Sequence, residues 1–324
     1  MATAPTIEPV RPSLPGETRL GRPLRAALAA ATSPYLLLVY AVFFWAGNAV
    51  VGRAFSGAIP PIALSFWRWV IGLAVILPFT GREVWRIRWR VVRHWRLLVV
   101  YTVLGVAGCN VLTYTALQYT TALNSALINS TTPIFVMCVS FVLFGDRIEL
   151  RQLIGVCVSL LGVAAIISGG QLGTLSGLAI NRGDLLMLAA IGLWSGYTAL
   201  LRRRPEGFAP MPFLTVLMGI GALLELPFYL IELGLGRTVA PTWPNLLALA
   251  YVGVFPAALA LHFWNRAVDA LGANRVSVFI HLMPVVGTLL AVGFLGEHFG
   301  AHHAIGIVLI FAGVYLAGVR RRAA

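Results

Sequence analysis

The chain repeats itself. Residues 116–163 and 267–314 align without a gap, so that Ala116 meets Ala267, Ala122 meets Ala273 and Pro133 meets Pro284, each pair 151 residues apart. Gly145-Asp146 meets Gly296-Glu297, and Gly155 and Gly162 meet Gly306 and Gly313. Upstream the spacing becomes 149: Trp45-Ala46-Gly47 answers Trp194-Ser195-Gly196, and Leu77-Pro78-Phe79 answers Leu226-Pro227-Phe228. A period of about 150 residues means one structural unit used twice, so whatever one half adopts the other must adopt too.

That unit is apolar. Hydrophobic residues make up 59% of the chain and charged residues 11%, where a soluble domain carries about a quarter charged. No soluble surface can be assembled from this composition, so the chain sits in lipid. A membrane-crossing helix needs about 20 apolar residues. Ten such runs occur, roughly 34–52, 61–80, 97–117, 122–144, 152–169, 184–201, 211–233, 245–264, 274–295 and 302–319. The expected fold is all-α and integral to the membrane, with ten transmembrane helices. Five runs per half is an odd number, so the second half crosses in the opposite sense to the first, giving two inverted five-helix repeats. The expected divisions are a disordered cytoplasmic tail over 1–31, a first repeat over 32–170 and a second over 183–320. Arg25 and the Ala-rich run after it have the look of a leader peptide, but that run has a partner in the second half and is read as a span.

Arginine placement gives the orientation. With the amino terminus inside, the inner segments hold Arg11, Arg19, Arg22 and Arg25, then Arg82, Arg86, Arg88, Arg90, Arg93 and Arg96, then Arg147, Arg151, Arg202, Arg203, Arg204, Arg266, Arg275 and Arg320 to Arg322. The outer segments hold Arg53, Arg182 and Arg237, a contrast of twenty to three that places both termini in the cytoplasm. The net charge of +13 is therefore a topology signal facing anionic lipid, and not a nucleic-acid footprint. The stretch 82–96 alternates Arg with Trp and reads as an interfacial amphipathic collar rather than a specific lipid site. Cys109, Cys138 and Cys157 lie in apolar runs at unrelated spacings, which excludes a disulfide framework and a CxxC metal site.

Several ordered motifs resemble the drug/metabolite transporter superfamily, in its ten-helix branch built from two EamA-type repeats. They are the Trp-Gly of the first helix of each repeat, Phe66 and Arg68 of the second, and the run from Tyr114 to Ala122. Pro133 and Pro284, the two Gly-acidic turns and the closing glycine pairs complete the set. The resemblance covers about residues 34–319 and implies transport of a small metabolite across a bacterial inner membrane, with amino acids, nucleobases, drugs and sugars all within the family's range. The chain departs from its own symmetry in the second helix, where Leu217 stands in the place of Arg68.

Inverted repeats suit alternating access, because exchanging the conformations of the halves turns an outward-open cavity into an inward-open one, with the site near the midplane between them. Pro133 and Pro284 fall at the middle of the fourth and ninth runs and mark hinges or packing kinks, with the carbonyls of Asn129 and Ile280 deprived of their helical donor. Polar groups share helix faces there: Ser125, Asn129 and Thr132 with Ser130 beside them, and Ser277, His281 and Thr288 on the ninth run. Asn110 with Tyr114, His262 with Asn265 and Asp269, and Trp45 with Asn48 against Trp194 with Tyr197 extend the set. Such groups either bind substrate or hold helices together. The substrate-binding candidates are Trp45, Asn48, Asn110, Tyr114, Asn129, Trp194, Tyr197, His262 and His281. Ionisable groups inside a span are the sharper signal. Arg68 and Glu225 both lie about 10–12 Å below the outer ends of their helices; they pair, or Arg68 holds a substrate carboxylate, or Arg68 bonds a carbonyl. His281 is open to a proton-coupling role or to a neutral structural one. Asp184, Glu232 and Asp269 stand at span ends and are expected to be solvated. His298, His302 and His303 gather near Glu297, but an ordinary turn is favoured over a metal site.

The leading expectation is a secondary transporter working by efflux, its partners a small-molecule substrate, membrane lipids and, where coupling is needed, protons. No GxxxxGK(S/T) phosphate-binding motif occurs and no cofactor is expected. Trp45, Tyr114, Trp194, Tyr197 and Trp264 suit an amphipathic substrate such as an amino acid or a drug-like compound. The alternative is a membrane-embedded lipid-modifying enzyme, for which His262 and Asp269 are the one candidate dyad; a receptor or assembly subunit ranks last.

Overall fold

A computed structural model describes residues 32–55, 57–120, 122–170, 181–295 and 298–318. The tail expected over 1–31, the Gly296-Glu297 turn and Arg320 to Arg322 lie outside the described residues. Among the described residues, ten helices are long and apolar enough to cross a membrane: α1 Pro34–Gly52, α2 Pro61–Arg86, α3 Trp95–Ala116, α4 Asn124–Phe144, α5 Leu150–Ile167, α6 Arg182–Arg203, α7 Pro210–Gly234, α8 Trp243–Leu271, α9 Ala273–Leu290 and α10 Ala301–Gly318. No strand occurs among the described residues. The ends follow the apolar runs closely, except that α2 continues to Arg86 and α8 to Leu271. Their last turns carry Arg82, Glu83 and Arg86, and Asn265, Arg266 and Asp269, which stay helical after hydropathy has fallen.

Prolines start α2 and α7, where a missing N–H costs nothing. Gly145, at φ 67°, ends α4 in the left-handed conformation that suits glycine. Two helices of each half are broken. In α3 the break is at Val106, between Trp95–Gly105 and Ala107–Ala116. In α8 it is a π-helical stretch, Gly253–Leu259, containing Pro256. The helix that contains α4 divides into Ala122–Asn129 and Thr132–Phe144, and α9 passes through a 3-10 turn at Val278–His281 into a segment, Leu282–Leu295, that continues helical beyond the span's end at Leu290. Pro133 and Pro284 thus open fresh helical segments, and the breaks lie just before them.

Packing across the halves comes in matching pairs. α1 lies on α8 and α9, as α6 lies on α3 and α4; α2 lies on α8, as α7 lies on α3. α5 and α10 touch along their glycines: Gly155 faces Gly313 and Gly162 faces Gly306, so the two helices run antiparallel. A Cβ on Gly155 would stand 2.6 Å from the Gly313 carbonyl oxygen, and one on Gly306 2.7 Å from that of Gly162. α2 and α7 are antiparallel too, with Ser65 against Glu225 at one depth and Thr80 against Thr215 at another.

Two carboxylates expected to be solvated are buried. Glu232 accepts the N–H groups of Ala63 at 2.7 Å and Ile62 at 3.4 Å, where Pro60 provides no side-chain cap for α2. Asp184 forms a capping box with Asn181 and accepts from the Thr120 hydroxyl and, at 3.1 Å, the Asn124 amide. Both sit on exposed N–H groups at a helix start, which stabilise an anion there. Asp269 is partly exposed and pairs with Arg204 at 3.0 Å.

Candidate functional site

Residues equivalent in the two halves touch one another at the seam. Trp45 and Trp194 meet edge to face with ring centroids 5.4 Å apart, and Trp264 closes the cluster at 5.1 and 5.7 Å. Tyr197 adds a fourth ring 5.4 Å from Trp194 and donates to Asn265 Oδ1 at 3.0 Å. The Nε1 of Trp264 and Nδ2 of Asn265, both fully buried, have no hydrogen-bond partner among the described residues, and neither do the hydroxyls of Ser195 and Thr198 on α6. Deeper along the seam, His281 Nε2 lies 2.7 Å from the Ser130 carbonyl, and Ser130 is its own counterpart 151 residues earlier. A carbonyl only accepts, so Nε2 carries the proton. Nδ1 meets Ser159 Oγ at 2.5 Å, which leaves both ring nitrogens of this fully buried histidine satisfied.

The second cluster carries the charge. Arg68 is 5% exposed; Nη1 donates to the Tyr114 hydroxyl at 3.0 Å and Nη2 to the Pro256 carbonyl at 3.4 Å, while Nε has no partner among the described residues. The guanidinium also stands 5.0 Å from the Trp69 ring centroid. Trp45 Nε1 donates to the same Pro256 carbonyl at 3.1 Å, tying this cluster to the aromatic one. Glu225 is 1% exposed and accepts at Oε1 from Ser65 at 3.0 Å and Trp69 Nε1 at 3.2 Å, with Oε2 unpartnered. Arg68 and Glu225 are not an ion pair; each is held by neutral donors or acceptors. A buried charge without a counter-ion is costly, and it persists where the surroundings or a ligand compensate it.

The other expected residues scatter around these clusters. Asn110 donates to the Val106 carbonyl at 2.6 Å, within its own helix. The Asn129 amide nitrogen lies 3.9 Å from Met283 Sδ; its Oδ1 is 3.5 Å from the Thr132 hydroxyl, and its carbonyl, short of a helical donor before Pro133, takes that same hydroxyl at 2.6 Å. Asn48 Oδ1 and His262 Nδ1 are buried without partners. Asp269 is occupied by Arg204, and no bond joins it to His262. Ser65, Trp69, Ser159 and Pro256 were not anticipated. Ser65 and Trp69 are four apart on α2 with Arg68 between them, and Pro256 interrupts an apolar run, so each left a sequence signal; Ser159 left none.

On the face where α6, α8 and α10 end, ion pairs link the halves: Asp146 with Arg202 at 2.7 Å and Glu149 with Arg275 at 3.8 Å. They border a cavity of about 670 Å³ that Arg204, Glu206 and Asp269 also line. At the opposite face His303 Nδ1 accepts from the Gly300 N–H at 3.0 Å, and no group of three or more potential metal ligands occurs among the described residues.

Comparison with known proteins places this geometry. Residues 32–168 and 181–319 each match the EamA-like transporter family. The chain is 27% identical over 290 residues to the uncharacterized transporter YyaM of Bacillus subtilis, covering 87% of this chain and 92% of YyaM. It is 26% identical over 301 residues to the aromatic amino acid exporter YddG of Ancylobacter novellus, covering 90% of this chain and 99% of that one. A solved crystal structure superposes with a TM-score of 0.72 over 89% of this chain and 96% of its own, at 23% identity, a likeness of fold.

Proposed function

The chain belongs to the EamA-like transporter family, and on that premise we propose that it exports a small amphipathic metabolite of the amino-acid type by alternating access between two inverted halves, 32–170 and 183–320. The observation that carries this reading is that two seam residues touch their own repeat counterparts, Trp45 with Trp194 and His281 with Ser130. A position that touches its equivalent lies on a local two-fold axis. The antiparallel glycine contacts of α5 with α10, themselves equivalent helices, are in line with such an axis lying in the membrane plane. Two conformations related by that axis are near in energy, so a solute and a modest gradient suffice to move between them.

In this reading the substrate sits against Trp45, Trp194 and Tyr197, with Asn48, Asn110, Tyr114, Asn129 and His262 around it. Arg68 receives its carboxylate, and Glu225 is the opposing charge or the proton carrier. The breaks before Pro133 and Pro284 are the hinges, and the Asp146–Arg202 and Glu149–Arg275 pairs hold the cytoplasmic face shut. Arginine distribution favours an inner-membrane protein with both termini in the cytoplasm. The relative named as an aromatic amino acid exporter supports the same substrate class. An enzymatic reading has no dyad to rest on, since Asp269 pairs with Arg204. Counterflow in proteoliposomes tests the proposal. Labelled aromatic amino acid should enter vesicles preloaded with the unlabelled compound and not empty ones; lipid turnover without solute movement would sink it.

A further inference from the structure

One charged surface lies outside the transport path. After α2 the chain turns at Ile87, runs through a short helix at Arg88–Arg93, turns again at His94 and enters α3. None of this short helix is buried. Beside it is an open groove of about 560 Å³, where Arg82 and Arg86 from α2 and Arg90 from the short helix face a single carboxylate, Glu83. Three guanidiniums against one carboxylate give the groove a net positive charge.

Its rim is apolar and uncovered. Phe79, on the membrane-crossing part of α2, is 82% exposed and forms one wall; Trp89, 72% exposed, forms another. Trp85 is 69% exposed, and the Arg88 guanidinium lies 4.6 Å from its ring centroid and 5.5 Å from that of Trp89. Indole rings beside guanidiniums favour the boundary between headgroups and acyl chains. A soluble anion would leave the Phe79 wall unused, whereas a lipid fills both parts.

The groove is also built from both halves. Arg90 Nη1 donates to the Gly207 carbonyl at 3.1 Å, in the connection between α6 and α7. Gly207 has φ +80°, and any Cβ there would run into the Arg90 guanidinium. The arginine is therefore seated by the backbone and not left free in solvent. Gly207 lines the large cavity of the same face as well.

We propose that this groove seats the headgroup of an anionic phospholipid, with its phosphate against Arg82, Arg86 and Arg90 and an acyl chain along Phe79. Lipid bound there bridges the two halves next to the ion-paired face. The test uses the full chain purified in detergent, with thermal unfolding followed while phosphatidylglycerol or phosphatidylcholine is titrated in. Phosphatidylglycerol should raise the midpoint by about 5 °C more than phosphatidylcholine does, the size expected for a ligand near a hundred times its dissociation constant. The double variant Arg82→Gln/Arg86→Gln should lose that excess, while Arg237→Gln keeps it. Equal stabilisation by the two lipids, or an unchanged excess in the double variant, overturns the proposal. So does an equal excess from inorganic phosphate, which would make this a soluble-anion site. Should the double variant not fold, brominated lipids decide the matter in the intact protein. Brominated phosphatidylglycerol should quench tryptophan emission more than brominated phosphatidylcholine, with the difference reduced in Trp89→Phe; equal quenching overturns the proposal.

Discussion

The two halves break their third helices at the same place and deal with the break differently. In α3 the backbone departs from helix at Val106, and Asn110 of the same helix donates to the Val106 carbonyl. In α8 the departure is the π-helical stretch around Pro256, and the Pro256 carbonyl takes Trp45 and Arg68, both from the first half. Arg68 has no image: its counterpart Leu217 is fully buried in the apolar core. Backbone geometry therefore obeys the duplication while polarity does not. That division suits a carrier. Interconversion needs symmetric helices, but a substrate with one charged end occupies the seam once, so its partner need exist in only one half.

The largest effects should come where the symmetry is strict. Gly155→Val and Gly306→Val each drive a side chain into the backbone of the partner helix, and overpacking of this kind costs about 3 kcal/mol. Both should lower the folded fraction in detergent to the same extent. A large loss in one and none in the other would break the equivalence of α5 and α10. Next comes Arg68→Leu, which gives the first half the residue of the second. Charged hydrogen bonds contribute about 1.5–3 kcal/mol, so counterflow should fall by about 10- to 150-fold. Its unfolding midpoint should move less than those of the glycine variants, because removing a buried charge without a counter-ion relieves desolvation. The reciprocal Leu217→Arg buries a new guanidinium and should cost about 3 kcal/mol of stability. If Leu217→Arg is tolerated, the one-sided charge is an accident of sequence.

The seam gives a smaller contrast. His281 and Ser130 are counterparts in contact, but the histidine side chain makes two bonds across the seam whereas Ser130 offers its backbone carbonyl. The Ser130 hydroxyl turns back to Ala126 in its own helix. His281→Ala should cost about 1–3 kcal/mol and impair counterflow, while Ser130→Ala should stay under about 1 kcal/mol, read by thermal unfolding.

Much of this architecture was legible before any coordinates. Apolar runs of membrane length located the ten helices, because lipid leaves the backbone few alternatives. The duplication identified Gly155 with Gly306 and Gly162 with Gly313. It did not say that Gly155 faces Gly313, since equivalence within a repeat carries no information about contact between repeats. Arg68 stood out as a charge inside a span, but its partners come from the next helix, α3, and from α8 in the other half, 188 residues away. Asp184 and Glu232 were misread for a related reason. Position near a span end measures depth, while burial there depends on which neighbouring helix start lies over the carboxylate. Where α2 and α8 continue past the apolar run, hydropathy ended before helical propensity did.

The finest contrast lies between α2 and α7. Counted at the spacing of 149, Thr80 corresponds to Tyr229 and Phe66 to Thr215, so the Thr80–Thr215 and Phe66–Tyr229 contacts are images of each other. One is a hydroxyl pair 2.9 Å apart; the other is a stacked aromatic pair, with ring centroids 4.6 Å apart and planes 7° from parallel. Each threonine hydroxyl also lies within bonding distance of a carbonyl of its own helix, Thr80 of Ile76 and Thr215 of Met211; with one proton each, the hydroxyl that donates to the other gives up its carbonyl. The hydroxyl pair thus has an alternative when its partner goes, whereas the aromatic pair keeps only the edge contacts of Trp67, 5.6 Å from Phe66 and 6.2 Å from Tyr229. Phe66→Leu should cost about 0.5–1.5 kcal/mol beyond its lost area. Thr80→Val should cost less, about 0.5 kcal/mol, because Thr215 keeps its carbonyl. A Thr80→Val loss as large as that of Phe66→Leu would mean that the hydroxyl pair, and not the aromatic stack, clamps the two halves together at this contact.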